Sequence, residues 1–243
     1  MSGSQLEGVS CLSATSCTAV GDYQTKSGVD KTLVEHWDGS TWAIQPTPSP
    51  SESASYLQAV SCTSAAQCTA VGNYIRHGYY ATLAERWNGT TWAVQATHGP
   101  SGVKQNALNA ISCTSATTCT AVGSTATPGP AGPAVPLAER WSGGTWAVQP
   151  TPSPSGALFA FLSGVSCASK TVCTAVGETI TSSGNYLALA EHWNGGAWRI
   201  QPTARPASGK GLSGVWCTSV TSCTAVGSAT LKHEQGNALA EQT

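Results

Sequence analysis

Residues 57–95 read LQAVSCTSAAQCTAVGNY…ATLAERWNGTTWAVQ, and residues 162–201 read LSGVSCASKTVCTAVGET…LALAEHWNGGAWRIQ. Both stretches follow one frame: Leu-x-Ala/Gly-Val-Ser-Cys, Cys-Thr-Ala-Val-Gly, a variable loop, Leu-Ala-Glu-x-Trp, a turn and a second Trp. The frame spans about fifty residues and occurs almost five times, with five copies of its first half and four of its last strand. A period of this size is typical of solenoids, repeat arrays and propellers. We therefore expect function to be repeated along the chain.

Composition excludes several classes of partner. Charged residues make up 9% of the 243 residues, and the net charge is −1, whereas ordinary domains contain roughly 25% charged residues. Nucleic-acid binding needs clustered Lys and Arg, and no such cluster occurs. No apolar run approaches the roughly 18 residues that suggest a membrane span. The first residues contain neither a basic nor an apolar leader segment, so we expect no signal peptide within this sequence.

The ten cysteines form five pairs with one spacing: Cys11/Cys17, Cys62/Cys68, Cys113/Cys119, Cys167/Cys173 and Cys217/Cys223. In each pair, one Cys ends a β-type run and its partner starts the next. An antiparallel hairpin of this kind can bring the two Cα atoms near the separation of about 5.5–6 Å that a disulfide favours. Metal binding is the alternative, but no His stands at a fixed offset to complete a coordination shell. Five disulfides predict an oxidising, extracellular location.

Each repeat predicts four short strands and no helix. In the second repeat these are Leu57–Cys62, Cys68–Gly72 ended by its glycine, Leu83–Trp87 and Thr90–Gln95. Asn88-Gly89 is a strong two-residue hairpin signal and would place Glu85 opposite Trp92. Four antiparallel strands repeated radially form the blade of a β-propeller, with a right-handed β-solenoid as the alternative.

The predicted fold is therefore all-β: a five-bladed β-propeller with four-stranded blades of about fifty residues. We treat residues 1–243 as a single domain with repeats at approximately 5–50, 51–101, 102–154, 155–205 and 206–243. The fifth repeat runs Leu239-Ala-Glu-Gln-Thr243 and has no Trp strand. The fifth blade should consequently lack its last strand, leaving an edge that another segment could cover.

The propeller topology divides the loops between two ends of each blade. The disulfide hairpins and Asn-Gly turns share one uniform end, and the loops that differ between repeats share the other. Variation of this kind often marks a binding face, although loops can also drift without function. Aromatic rings stack on sugar rings, and carboxylates and amides bind sugar hydroxyls. We predict ligand contacts from the variable-end residues Asp22, Tyr23, Asn73, Tyr74, Tyr79, Tyr80, Glu178 and Tyr186.

The remaining polar residues do not predict catalysis. Hydrolytic propellers need acids at defined separations, and no such pair is recognisable. Five acids are the repeated Glu, which we interpret as structural acceptors for Trp indoles or backbone N–H groups of a neighbouring blade: Glu35, Glu85, Glu139, Glu191 and Glu241. The repeated Trp pairs are interpreted as core. No metal, phosphate-binding or nucleophile motif occurs, so we expect no enzyme activity, no metal and no cofactor.

The whole frame resembles repeats of secreted actinobacterial Cys/Trp-repeat proteins, and the resemblance covers nearly the whole chain. In repeat number and length the chain is also similar to tachylectin-type five-bladed lectins. That second resemblance implies glycan binding by fold-level analogy alone.

These observations predict a secreted, non-catalytic binding module. The preferred hypothesis is a multivalent carbohydrate-binding lectin. Weak sites repeated around a ring gain avidity. The alternative is a protein–protein docking scaffold in a larger secreted assembly. We expect glycans or a secreted protein as partners, no nucleic acid, no membrane span and a monomeric chain, with pairing through the open edge of the fifth blade as a second option.

Overall fold

The computed structural model describes residues 3–100, 103, 105–126, 132–203, 210–229 and 237–242. All regular structure in these residues is β-strand, and none of them forms a helix that could cross a membrane. Parts of two predicted variable loops, 127–131 and 230–236, lie outside the described residues.

The strands follow the repeat, and we call the sheet unit of each repeat a blade. The bounds are β1 Gly3–Ser13, β2 Ser16–Gln24, β3 Asp30–Trp37, β4 Trp42–Gln45, β5 Ser55–Ser64, β6 Gln67–Arg76, β7 Tyr79–Trp87, β8 Trp92–Gln95, β9 Gln105–Ser115, β10 Thr118–Ala126, β11 Ala134–Trp141, β12 Trp146–Gln149, β13 Ala157–Ser169, β14 Val172–Thr181, β15 Tyr186–Trp193, β16 Trp198–Gln201, β17 Lys210–Ser219, β18 Ser222–Ala229 and β19 Asn237–Gln242. Within a blade, consecutive strands pair antiparallel, and the last blade is the three-stranded sheet β17-β18-β19. The predicted four-stranded blades and the three-stranded fifth blade are confirmed.

Adjacent blades pack through a repeated apolar interface. The first strand of each later blade lies against the first three strands of the preceding blade. Its buried Leu, such as Leu57, packs with the valines of that blade, Val20 and Val34. The β1 strand makes no comparable packing with the described part of β17, so the described residues form an open row of blades rather than a closed ring.

Polar contacts also repeat from blade to blade. The Cys62 backbone N–H donates to Ser10 Oγ at 3.0 Å, and three later junctions contain the same bond. The Arg86 guanidinium lies 5.2 Å from the Trp141 ring centroid and donates to the Ala116 carbonyl in the next disulfide hairpin. This Arg position therefore stabilises a blade junction.

All five predicted disulfides are present, and no described cysteine is free. They are Cys11–Cys17, Cys62–Cys68, Cys113–Cys119, Cys167–Cys173 and Cys217–Cys223. Their Cα atoms lie 3.9–4.0 Å apart, closer than the separation of about 5.5–6 Å expected from the sequence. The two cysteines of each bridge are direct cross-strand partners, and such antiparallel partners can approach to about 4.5 Å. Five disulfides indicate an oxidising environment.

The position of the cysteines within the strands differs from the prediction. Cys17, Cys173 and Cys223 do not start their strands, which begin one residue earlier at Ser16, Val172 and Ser222. The first cysteine of each pair also does not end its strand, which continues for two more residues. Beyond each bridge the two strands pair once more after a register shift. Each bridge therefore lies within the paired strands, close to the turn, and not at their terminal residues.

The second cysteine of a later blade also contacts the preceding blade. The Thr120 hydroxyl lies 3.7 Å from Cys173 Sγ, and the Thr174 hydroxyl lies 3.4 Å from Cys223 Sγ. Cys173 is 1% exposed and Cys223 is 7% exposed, whereas Cys17 in the first blade is only partly buried. The disulfides of the later blades are therefore part of the blade junctions as well as of their own hairpins.

The predicted Trp pairs are formed in every complete blade. Their ring centroids lie 5.7–5.9 Å apart. In the third and fourth blades both rings are buried, whereas Trp42 of the first blade is 46% exposed. The core interpretation is therefore confirmed for both rings of the third and fourth blades, whereas Trp87 of the second blade is only partly buried.

Removing one disulfide should have a modest cost because each closes a short loop. The double change Cys113→Ala and Cys119→Ala is expected to lower the free energy of unfolding by about 2 kcal/mol in urea denaturation. Ser115→Ala in the same hairpin is the control and should change it by less than about 0.5 kcal/mol. Equal stability of the double variant and the native chain would contradict the prediction.

Two further local predictions were wrong. The β6 strand does not end at Gly72 but continues to Arg76. The Asn-Gly hairpin is a four-residue turn, because Asn88 Oδ1 accepts from the backbone N–H groups of Thr90 and Thr91. Trp87 therefore pairs with Trp92, and Glu85 lies opposite Val94.

Candidate functional site

The variable end of each blade carries one register pair that changes from repeat to repeat. In the first strand of each blade the residue comes just before the repeated Leu. Its partner on the second strand comes just after the repeated Gly. The pairs are Gln5/Asp22, Tyr56/Asn73, Ala107/Ser124, Phe161/Glu178 and Gly211/Ser228. Residues that vary at a fixed position of a fixed scaffold are the ones expected to determine what a repeat protein binds.

A β-bulge lies next to each of these pairs. Each first strand has a register shift directly after its buried Leu, so the following residue has no partner on the second strand. This bulge residue is Gln58 in the second blade and Asn109 in the third, where its amide donates to the Leu162 carbonyl of the next blade at 2.9 Å. Bulges redirect side chains and are common beside binding sites.

The pairs of the second and third blades, together with Phe161 of the fourth, line a cavity of about 360 Å³. Its walls combine aromatic rings and small residues with side-chain amides and hydroxyl groups: Tyr56, Gln58, Asn73, Tyr80, Gln105, Asn106, Ala107, Ser124, Ala126, Ala134 and Phe161. Asn106 is held by the Thr125 hydroxyl, which donates to Asn106 Oδ1 at 2.6 Å. The described lining of the cavity contains no Lys or Arg.

A second cavity of about 370 Å³ adjoins the first at Tyr56, and we call the two together the central groove. Its lining is Gly3, Ser4, Gln5, Asp22, Gln24, Asp30 and Tyr56. The Tyr56 hydroxyl donates to Asp30 Oδ2 at 2.9 Å. Burial, together with this carboxylate, raises the pKa of Tyr56 to about 12, so Tyr56 stays a neutral donor at physiological pH.

Asp22 is the buried carboxylate of the groove. Gln5 Nε2 donates to Asp22 Oδ1 at 3.1 Å. Burial raises the pKa of Asp22 above its ordinary value, and the nearby Asp30 and Glu7 act in the same direction. The second cavity is thus rich in acceptors and has net negative character, which disfavours anionic ligands.

The structure brings some predicted site residues together and separates others. Asn73 and Tyr80 line the first cavity, and Asp22 lines the second. Tyr23 lies in a different hollow of about 340 Å³ with Pro46 and Ser49.

Four further predicted residues lie outside the central groove. Tyr74 packs against the apolar cluster between the first two blades, and Tyr79 pairs with Arg76 on the preceding strand, β6. Glu178 is partnered by Phe161, and burial raises its pKa. Tyr186 is exposed on β15.

Sequence reasoning missed Tyr56, Gln58, Asp30, Asn106 and Phe161. Most of them lie within strands, whereas the prediction considered loops. Comparing the residue before the repeated Leu across repeats would have found Tyr56 and Phe161, because that position varies beside a Leu that every repeat contains. The bulge at Gln58 depends on strand pairing, which the sequence does not show.

The carboxylates of the groove are engaged by neighbouring side chains, Asp22 by Gln5 and Asp30 by Tyr56 and Gln24. Among the described residues, no three His, Cys, Asp or Glu side chains cluster as metal ligands. This arrangement can hold a neutral polar ligand by hydrogen bonds and ring contacts.

Comparisons with known proteins identify the fold. No family model and no curated protein sequence matches the chain. A solved structure of a protein from Dyadobacter fermentans, described as of unknown function, aligns with a TM-score of 0.62 at 11% identity, covering 99% of this chain and 76% of the other. The GH74 xyloglucanase from Xanthomonas campestris aligns with a TM-score of 0.57 at 12% identity, covering 97% of this chain and 36% of the enzyme.

YCF48 bound to D1 peptide aligns with a TM-score of 0.53 at 11% identity, covering 99% of this chain and 67% of YCF48. These neighbours are β-propeller proteins. The chain has a β-propeller fold. At such low identity the likeness extends to the fold alone. The resemblance of this propeller to actinobacterial Cys/Trp repeats and to tachylectin-type lectins stays a prediction.

Proposed function

We propose that this β-propeller is an extracellular, non-catalytic binding module whose central groove binds carbohydrate. The observation that carries the proposal is the exposed ring of Tyr80 beside the amides of Gln58 and Asn73 in one cavity. Sugar rings present apolar C–H surfaces to aromatic faces and hydroxyl groups to amides and carboxylates. A mostly apolar pocket with a few convergent polar groups is the usual form of a small-ligand site.

The chemistry of the lining favours a neutral sugar. Asp22 and Asp30 supply acceptors, the protonated Tyr56 hydroxyl holds Asp30 by a hydrogen bond, and no described cation lines either cavity. An acidic sugar would meet these carboxylates without a compensating charge. Because the five register pairs differ, we assign binding to one groove across several blades rather than to five equivalent sites.

A glycan array followed by isothermal titration calorimetry tests the proposal. Tyr80→Ala is expected to weaken binding of the best neutral glycan roughly tenfold or more, because an aromatic anchor is lost. Tyr186→Ala is the matched control, since Tyr186 is 44% exposed, close to the 42% of Tyr80, but lies outside the groove. It should leave the affinity unchanged.

Tyr56→Phe tests the Tyr56 hydroxyl separately. This variant should bind the glycan more weakly, and its unfolding transition should stay near that of the native protein. Equal losses of affinity in the Tyr80→Ala and Tyr186→Ala variants would contradict binding in the central groove. The absence of binding across a broad glycan array would contradict it as well. Protein docking is the second candidate function, favoured by the apolar surfaces at the two ends of the row of blades.

A further inference from the structure

The interior blade junctions define two complementary surfaces. On one side of each junction, the later blade presents a Leu, a Val or Ile and a Trp from its fourth strand; in the second blade these are Leu57, Val60 and Trp92. We call this side the leading face. On the other side, the earlier blade presents residues of its second and third strands, such as Val20 and Val34. We call this side the trailing face.

The leading face of the first blade is uncovered. Val9 is 61% exposed, whereas its equivalents Val60, Ile111 and Val165 are 7–8% exposed. Leu6 and Trp42 on the same face are 49% and 46% exposed, although their equivalents in the second to fourth blades are almost fully buried. These side chains keep the repeat pattern, and their exposure means that no other described blade packs against this face.

The trailing face of the last blade is uncovered as well. Val226 is 49% exposed, and its four equivalents are 0–1% exposed. Trp216, 72% exposed, stands where the other blades have the Ser whose hydroxyl accepts from the next blade. This change removes a hydrogen-bond acceptor but adds a large apolar side chain. Exposed apolar patches of this kind mark interaction surfaces.

We propose that the chain associates head to tail with a second copy of itself, the trailing face of one chain covering the leading face of the next. The argument is continuity with an established interface, since the same leading residues are buried by the same trailing residues at the interior junctions. The net charge of −1 adds little repulsion between copies. Such an interface is heterologous, so an open assembly keeps one free leading face and one free trailing face at its two ends.

Light scattering coupled to size exclusion tests this directly. The native chain, 24.7 kDa, is expected to show a mass that rises with concentration above that of one chain. Val9→Asp removes the leading face and Val226→Asp removes the trailing face, and each variant alone should be monomeric. Mixed in equal amounts, the two variants should form a 1:1 dimer, because each supplies the face that the other has lost.

Both substitutions lie at exposed positions, and circular dichroism with a urea transition verifies that the variants are folded. A native chain with the mass of one copy at its highest soluble concentration would overturn the proposal. So would two variants that still assemble separately, or that fail to combine when mixed. Glycan binding does not enter the readout, so this test and that of the central groove fail independently.

Discussion

Glu85→Gln is expected to stabilise the β-propeller at pH 8 by roughly 2–4 kcal/mol and to weaken its dependence on pH. Glu85, Glu139 and Glu191 have no exposed surface. Burial raises the pKa of Glu85 and Glu191 to about 8 and that of Glu139 to about 7. The Thr32 hydroxyl near Glu85 lowers the pKa slightly, but no regular hydrogen bond reaches either carboxyl oxygen.

The sign of the effect follows from proton binding. Below the ordinary Glu pKa of about 4.5, folded and unfolded chains both hold these protons, so the buried carboxyls do not reduce stability. Between that pH and about 8 the unfolded chain releases the protons while the folded chain keeps them. Stability should therefore fall as pH rises through this window. Glutamine at position 85 has no proton to release, so the variant lacks the contribution of Glu85 to this loss.

Urea unfolding at pH 5 and pH 8 measures the change. Glu35→Gln is the control, because Glu35 holds the same repeat position in the first blade but is only partly buried. In the Glu35→Gln variant, the free energy of unfolding should change between pH 5 and pH 8 as it does in the native protein. A Glu85→Gln variant with the native pH dependence would contradict the assignment of a dry, protonated carboxyl.

The interpretation of the repeated Glu as an acceptor for Trp indoles was wrong for the interior blades. The indole nitrogens of Trp141, Trp146, Trp193 and Trp198 are buried without a hydrogen-bond partner in the described residues, as are both carboxyl oxygens of Glu139 and Glu191. For Glu139, the His98 backbone N–H from the preceding blade lowers the pKa slightly. The structural interpretation of these residues stays a prediction, supported by their complete burial.

Gly123→Ala is expected to destabilise the protein by about 3 kcal/mol or more. A Cβ at position 123 would overlap the Ala107 carbonyl oxygen and lie 2.9 Å from Leu108 Cα. Both obstacles are backbone of the paired strand, which cannot move without disturbing the β-bulge beside it. The same overlap recurs at Gly21, Gly72, Gly177 and Gly227, which explains why Cys-Thr-Ala-Val ends in Gly in every repeat.

Gly144→Ala, in the same blade, is the matched control because a Cβ there meets no atom within 4 Å. Its free energy of unfolding should stay within about 0.5 kcal/mol of the native value. Comparable losses for both variants would show that glycine flexibility, rather than close backbone approach, determines the effect.

The fold was largely predictable from the sequence because its signals are local and repeated. The Cys pairs, the Leu-Ala-Glu-x-Trp strand and the missing Trp near Thr243 predicted hairpins, blades and a three-stranded last blade. Blade five consequently has no equivalent of Trp92, whose Nε1 donates to Gln45 Oε1 of the preceding blade.

The candidate site was less predictable. Asp22, Asn73 and Tyr80 were predicted because they lie in the variable segment after the repeated Cys-Thr-Ala-Val-Gly motif. Tyr56 and Gln58 lie within a strand, and they line the groove only because three blades pack together. The uncovered faces were equally hidden, since Val9 and Val60 are the same residue in the same motif.

The sequence by itself determined the blade, its disulfide, its Trp pair and its number of strands, because each depends on contacts within about fifty residues. The tertiary structure decided which identical side chains are buried, which carboxyls lose water and which strand residues meet in the central groove. Those properties depend on the neighbouring blade. The repeat cannot encode its neighbour's presence, and at the two ends of the row that neighbour is absent from the described structure.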